Sequence, residues 1–130
     1  FMIHDMAMTD DHLIFLIPPV FFKLTDIILN RGSLSQAITY DPRLGTKLLV
    51  LDKKGKEKPI EVKLPAGVVF HHGNAHIDGD ELRLQTFIAS DDSSMRFISD
   101  WEGPLPAQSI NHPALHEPVV NPKTKKLISD

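Results

Sequence analysis

The stretch "PIEVKLP" at residues 59–65 sets the tightest limit on what this chain can fold into. Ile60, Val62 and Leu64 fall on one side of an extended backbone, and Glu61 and Lys63 fall on the other. That period of two belongs to a half-buried β-strand, whereas a helix would scatter the same residues around its circumference. "ELRLQTFI" repeats the pattern, with Leu82, Leu84 and Ile88 opposite Arg83, Gln85 and Phe87. "HLIFLIP" and "KLLVL" are short continuous apolar runs bounded by turn residues, the form of fully buried strands. Asp52-Lys53-Lys54-Gly55 is placed to link 47–51 to 60–64, and Asp78-Gly79 to link 68–72 to 81–88, giving two hairpins. Only "FKLTDIILNRG" reads as a helical turn or two, with Gly32 as its C-terminal cap.

Beyond Asp91 the strand signal fades. The segment 100–122 holds five of the chain's ten prolines, which cannot sit within central strands. It reads as a loop crossing, with one strand at 95–98. His112 and His116 stand four apart, a spacing that suits a metal on a helix, but Pro113 and Pro118 favour a loop there. Many short antiparallel strands at this spacing imply an all-β fold: a sandwich, a barrel or propeller blades. At 130 residues the length fits a single domain, 1–130.

Composition removes several functions. Lys plus Arg number 14 against 17 Asp plus Glu, so the chain lacks the basic stripe of a nucleic-acid binder. The absence of cysteine excludes disulfides, thiolate zinc sites and a cysteine nucleophile, and it suits a reducing, cytoplasmic setting. The apolar run 13–22 is broken by Pro18 and Pro19, well short of the roughly 20 residues of a spanning helix. Residues 1–30 show neither the basic start nor the small-residue cleavage site of a signal peptide. A chain that opens Phe-Met-Ile-His and closes "KTKKLISD" looks cut from something longer.

Two histidines stand out. His4 and His71 each adjoin an apolar run and a polar turn, in "FMIHDMAMTDDHLIF" and "VVFHHGNAHIDGDEL". A single histidine on an apolar face is usually structural. Two in matching contexts, at the inner ends of neighbouring strands, would aim at one point, and neutral imidazole is the commonest protein ligand for iron, copper and zinc. His72 competes with His71 by position. Adjacent strand residues point to opposite faces, so only one of them can reach a shared centre.

These segments closely resemble two signature motifs of the carotenoid cleavage oxygenase family, which takes in lignostilbene dioxygenases and the retinal pigment epithelium isomerase. His4, Asp5, Ala7 and Thr9 match an H-D-x-A-x-T motif, and Phe70, His71, Asn74 and Ala75 match an F-H-x-x-N-A motif. The intervening "NRGSLSQAITYDPRLGTKLLVLDKKGK" is similar too, so the resemblance runs continuously over 1–90 and is weak over 91–130.

The resemblance implies a seven-bladed β-propeller with iron(II), Fe(2+), held on its axis by four histidines. His4 and His71 would be two of them, and this chain would supply about two blades and half the site. It selects His71 over His72, which becomes a packing or hydrogen-bonding residue. Glu117, in "LHEPVVNP", resembles a family segment that carries a glutamate behind a ligand histidine, although the phenylalanine of that segment is missing. The implied parent enzyme takes dioxygen at open iron positions and an apolar polyene or stilbenoid in a tunnel. It cleaves one conjugated carbon–carbon double bond into two carbonyl products, although some members are isomerases. Met2, Ile3 and Phe70 would line the tunnel. Phe21, Phe22, Leu24, Ile27, Ile28 and Leu29 would form an apolar patch that touches a membrane surface, or else an inter-blade segment. Two rivals remain: a metal-free β-propeller or β-sheet binding module with core histidines, and a small protein that binds an apolar ligand.

Overall fold

The computed structural model describes residues 2–32, 36–95 and 111–130, and among them every strand pair runs antiparallel. In chain order the strands are β1 (Ala7–Met8), β2 (His12–Ile17), β3 (Val20–Phe22), β4 (Ile38–Tyr40), β5 (Thr46–Asp52) and β6 (Ile60–Leu64). They continue as β7 (Val68–Asp78), β8 (Glu81–Ala89), β9 (Ala114–His116), β10 (Val119–Asn121) and β11 (Lys126–Ser129). One sheet has the order β1-β2-β5-β6. A second has the order β11-β10-β8-β7, with β9 also on β8. β3 and β4 form a separate two-stranded pair.

Both expected hairpins are present, and side-chain chemistry shapes their turns. Asp52 ends β5, and its carboxylate accepts the backbone N–H groups of Lys54 (3.0 Å), Lys56 (2.8 Å) and Glu57 (3.2 Å). Gly55 takes φ 66°, which a side chain would resist. Between β7 and β8, Asp78 still pairs with Glu81, so the two-residue loop is Gly79-Asp80, one residue later than the sequence suggests. Gly79 supplies the positive φ of 59° that such a loop needs at its first position.

The short helix α1 (Leu24–Ile28) appears where expected, but its C-cap is Leu29, and Asn30 rather than Gly32 takes the left-handed position that closes it. Asn30 adopts φ 48°, its N–H donates to Ile27 O (3.1 Å), and Arg31 N–H donates to Asp26 O (2.8 Å). That bond pair is the Schellman closure, and asparagine tolerates the left-handed conformation it demands. No residue of α1 is buried.

The proline-rich tail corrects the sequence reading. Rather than a loop, 114–129 holds β9, β10 and β11; Met95 lies in a helical turn rather than a strand, and 96–98 fall outside the described residues. The prolines bound these strands instead of interrupting them. Pro118 separates β9 from β10 along the same edge of β8, and its carbonyl accepts Leu84 N–H at 3.3 Å. His116 therefore lies on a strand, directly opposite Thr86.

The core forms where the two larger sheets bury facing sides. Ile14, Leu16, Leu48, Val50, Val62 and Leu64 pack with Val69, Ala75, Leu82, Leu84 and Val120. Each fully buried aliphatic contributes about 1.5–3 kcal/mol by leaving water. A second cluster, Val20, Val68, Ala89 and Met95, is flanked by Met2, Ile38, Tyr40 and Phe70. It anchors the start of the chain beside β7, and Met2 N–H adds a hydrogen bond to Val20 O at 2.9 Å.

Candidate metal centre at His4 and His71

The residues of the first motif divide the work of bringing His4 to β7. His4 lies on an irregular segment ahead of β1, not on a strand as its apolar context suggests. Asp5 fixes that segment: its Oδ1 accepts Met6 N–H at 2.7 Å, and its Oδ2 accepts His72 N–H at 3.1 Å. Ala7 is buried in the main core, on a strand that packs against β7. Thr9 closes the following turn, where its N–H donates to His12 O at 3.0 Å.

The second motif works through irregularity. The register of β7 against β8 slips between Val69 and His72 and again between His72 and Ala75. Each slip inserts one extra residue on β7, the arrangement of a β-bulge, which bends a strand and re-aims its side chains. As a result Val69, His72 and Ala75, three apart rather than two, pair with Ile88, Thr86 and Leu84. His72 thus turns onto the Thr86 side of the sheet, and His71 leaves it. Asn74 Oδ1 accepts Ala75 N–H at 2.9 Å, and Ala75 is buried in the main core.

His4 and His71 meet. Their ring centroids are 5.1 Å apart and the ring planes cross at 88°. Phe70 stands edge-on to His4 at 5.6 Å and 81°. His4 is exposed, as is the His71 side chain at 67%. Asp5 Oδ2 lies 3.8 Å from His71 Nδ1. The hydrogen bond from His72 N–H, with a further one from Met6 N–H, holds the Asp5 carboxyl below the usual carboxylate range against a modest desolvation cost.

The spacing fits a shared cation. Two imidazoles bound side by side, each with a metal–nitrogen bond of about 2.1 Å, bring their centroids to about 5 Å. Among the described residues no group of three or more His, Cys, Asp or Glu converges on one point. These two side chains are therefore at most part of a coordination shell, as the resemblance implies.

His72 is a different kind of histidine. Burial pushes its imidazole below the ordinary histidine value. Its Nδ1 lies 3.0 Å from Thr86 Oγ1, and the Thr86 hydroxyl donates to His71 O at 3.3 Å. A hydroxyl has one proton, so His72 must donate from Nδ1, and the neutral Nδ1–H tautomer follows.

The structure does not bring Glu117 to the imidazoles. Its carboxylate sits 3.9 Å from Arg83, on the strand beyond His72. Among the sequence candidates for the tunnel, Met2 and Phe70 pack on the second cluster, while Ile3 is 49% exposed. His116 Nδ1 lies 3.1 Å from Asp130 Oδ1, and with His112 it lines a separate cavity. Asp5 and Thr86 are the residues that sequence reasoning passed over. Asp5 was visible only as a matched motif position, and Thr86 only as a hydroxyl on an otherwise apolar strand face.

No helix among the described residues is long and apolar enough to cross a membrane. The sequence profile of the retinal pigment epithelial membrane protein family (RPE65) matches residues 1–129. No curated protein matches the chain in sequence. Among solved structures, cobalt-substituted Synechocystis ACO superposes with a TM-score of 0.81 at 18% identity, covering 97% of this chain and 26% of that one. An ACO/RPE65 chimera gives a TM-score of 0.83 at 19% identity, again over 97% and 26%. A variant of Synechocystis apocarotenoid oxygenase (ACO) gives 0.83 at 18%, with the same coverage. The chain thus spans about a quarter of the length of these structures, and its two larger sheets share the blade fold of the β-propeller carotenoid oxygenases. The chain belongs to the retinal pigment epithelial membrane protein family, that of the carotenoid oxygenases.

Proposed function

We propose that this chain is part of a longer parent, an iron(II)-dependent dioxygenase that cleaves one conjugated double bond of a carotenoid, apocarotenoid or stilbenoid into two carbonyl products. The observation that carries the proposal is the His4–His71 pair, 5.1 Å between ring centroids, built from the two motif histidines of a family member. In that reading His4 and His71 hold iron(II) through neutral imidazole nitrogens, and histidines outside this chain complete the shell. Bound iron(II) would supply the site at which dioxygen is activated for attack on the double bond.

The chain's own residues bind and orient. Phe70 covers one flank of the His4 ring, which keeps water from that side and fixes the imidazole. Met2 and Phe70 offer apolar surface to a polyene, with Ile3 exposed beside them. Asp5 joins the His4 segment to β7. No general acid or base is required, since neither proton transfer nor hydrolysis takes part in the cleavage.

Leu24, Ile28 and Leu29 are exposed at 66%, 79% and 55%, with Phe21 and Phe22 half-buried and Ile27 exposed beside them. This apolar face fits the surface of a bilayer in which apolar substrates dissolve, with the parent a cytoplasmic protein peripheral to that membrane.

Incubating the parent with an apocarotenoid and a stilbenoid under ¹⁸O₂ tests the activity. Two labelled carbonyl products are expected, and a product isomeric with its substrate would instead make the parent an isomerase. A metal-free binding module is the second reading. It draws on the fact that centroids at 5.1 Å and planes at 88° also suit two bare rings in edge-to-face contact.

A further inference from the structure

We propose that Asp5 and Thr86 are positioning residues for the His71 imidazole, acting by holding the single peptide unit between His71 and His72 from both sides. The inference rests on the metal-site reading above and assigns roles that the motif histidines alone do not.

The geometry is specific to one peptide. Its carbonyl, His71 O, accepts the Thr86 hydroxyl at 3.3 Å, and its N–H, on His72, donates to Asp5 Oδ2 at 3.1 Å. Both backbone groups are thus satisfied by side chains, at the point where the ladder to β8 loses register. A bulge leaves a residue unpaired, and an unpaired backbone group shielded from water costs about as much as a lost hydrogen bond. The two side chains remove that cost and fix the plane of the peptide. Because Cα of His71 belongs to that peptide, its plane sets the direction in which the imidazole leaves the sheet.

Thr86 suits the task. It is fully buried at 0% exposure on the face shared by Leu82, Leu84 and Ile88, where valine would pack as well. The hydroxyl is the one departure from that apolar pattern, and both of its bonds run to the His71–His72 pair. His72 takes the second bond, so its buried ring braces Thr86 while Thr86 braces His71. Asp5 completes the clamp from the other motif: it adjoins His4, so the group that ties down His72 N–H also ties His4 to the same peptide. One carboxylate therefore fixes the spacing of both imidazoles.

The test uses the full-length parent and four variants, with iron(II) affinity by competition with a chelator and the visible ligand-field spectrum of the cobalt(II)-loaded protein as readouts. Thr86→Val removes the hydroxyl at constant shape, and Thr86→Ser keeps it. Asp5→Ala removes the acceptor, and Asp5→Asn keeps a carbonyl oxygen for His72 N–H. Loss of a group that orients a metal ligand costs roughly tenfold to a hundredfold in affinity. Thr86→Val and Asp5→Ala are expected to show that loss and an altered cobalt spectrum, with Thr86→Ser and Asp5→Asn staying within about threefold of wild type on the same scale. Thermal destabilisation of Thr86→Val and Asp5→Ala with unchanged affinity and spectrum would overturn the proposal, since a merely structural role gives that result. If Thr86→Val does not fold, the partly exposed Asp5 pair decides the matter alone. His71→Ala separates this failure from that of the metal site: wild-type iron in His71→Ala sinks the underlying reading, whereas lost iron there with normal iron in Asp5→Ala sinks only the clamp.

Discussion

Thr46 Oγ1 makes two hydrogen bonds to one residue, accepting Gly67 N–H at 3.1 Å and donating to Gly67 O at 3.3 Å. Thr46 begins β5 of the first sheet, and Gly67 immediately precedes β7 of the second, so this pair sets where one sheet hands over to the other.

That junction leaves no room for a methyl group. A Cβ on Gly67 would overlap Ile88 Cγ2, on a stiff β-branched side chain, and would crowd Ala89 O at 3.2 Å. Gly67→Ala is expected to destabilise the protein by about 1–3 kcal/mol through overpacking. Thr46→Val strands two buried backbone groups and should cost about 1–3 kcal/mol for each left unsatisfied. Urea denaturation of the parent and both variants checks the pair, and wild-type midpoints would contradict this description of the junction.

His72 should stay neutral where an ordinary histidine becomes charged. Burial places its folded value below 6.5, so as pH falls through that range the unfolded chain takes up the proton first. The stability that His72 contributes is therefore full above pH 6.5 and declines as pH drops toward the folded value. Histidine-edited ¹⁵N NMR of metal-free protein should show the proton on Nδ1 and a midpoint below the ordinary histidine value of 6.5. A midpoint at or above 6.5 would contradict the buried placement.

Acid should open the β5–β6 turn before the rest of the fold. The N–H groups of Lys54 and Lys56, with a weaker contribution from Glu57, hold the Asp52 carboxyl below its usual value of 3.8. Because the folded value is the depressed one, the capping stabilisation is present above 3.8 and disappears as pH falls through the folded value. Amide exchange at Lys54, Lys56 and Glu57 should accelerate in Asp52→Ala near neutral pH while β2 and β8 remain protected. Unchanged exchange at all three amides would show that the carboxylate does not organise the turn.

Contact with a membrane makes a separate demand on α1. Replacing Ile28, 79% exposed, and Leu24, 66% exposed, with aspartate should lower partition of the parent onto phosphatidylcholine vesicles by tenfold or more. That figure follows from about 1.5–3 kcal/mol for each apolar side chain withdrawn from water. Because neither residue is buried, folding should be unaffected; equal sedimentation with vesicles would remove the bilayer from the account.

The parts of the fold that could be read from the sequence are those where a side-chain period and a glycine turn agree. Ile60, Val62 and Leu64 announce β6, and Gly55 and Gly79 mark the two hairpins. β9, β10 and β11 were hidden because each is only three or four residues long, with Pro113, Pro118 and Pro122 close against their ends. A proline beside a strand and a proline inside one look alike in a sequence. The candidate site divides in the same way. The His4 and His71 motifs are visible in the chain, and strand parity lets only one of His71 and His72 face a shared centre. The two bulges that carry out that separation leave no trace in the residue pattern, and neither does the choice of Asp5 over Glu117 as the nearby carboxylate. Those depend on partners that only folding brings together.

The proposed iron site requires that His4 and His71 bind the same iron. The most direct measurement is iron bound per molecule of the full-length parent, by mass spectrometry of the metal, for wild type, His4→Ala and His71→Ala, each confirmed folded by circular dichroism. The expected result is about one iron in wild type and background iron in both variants, as a shared ligand set requires. A folded variant at either position that keeps the full wild-type iron content would contradict it.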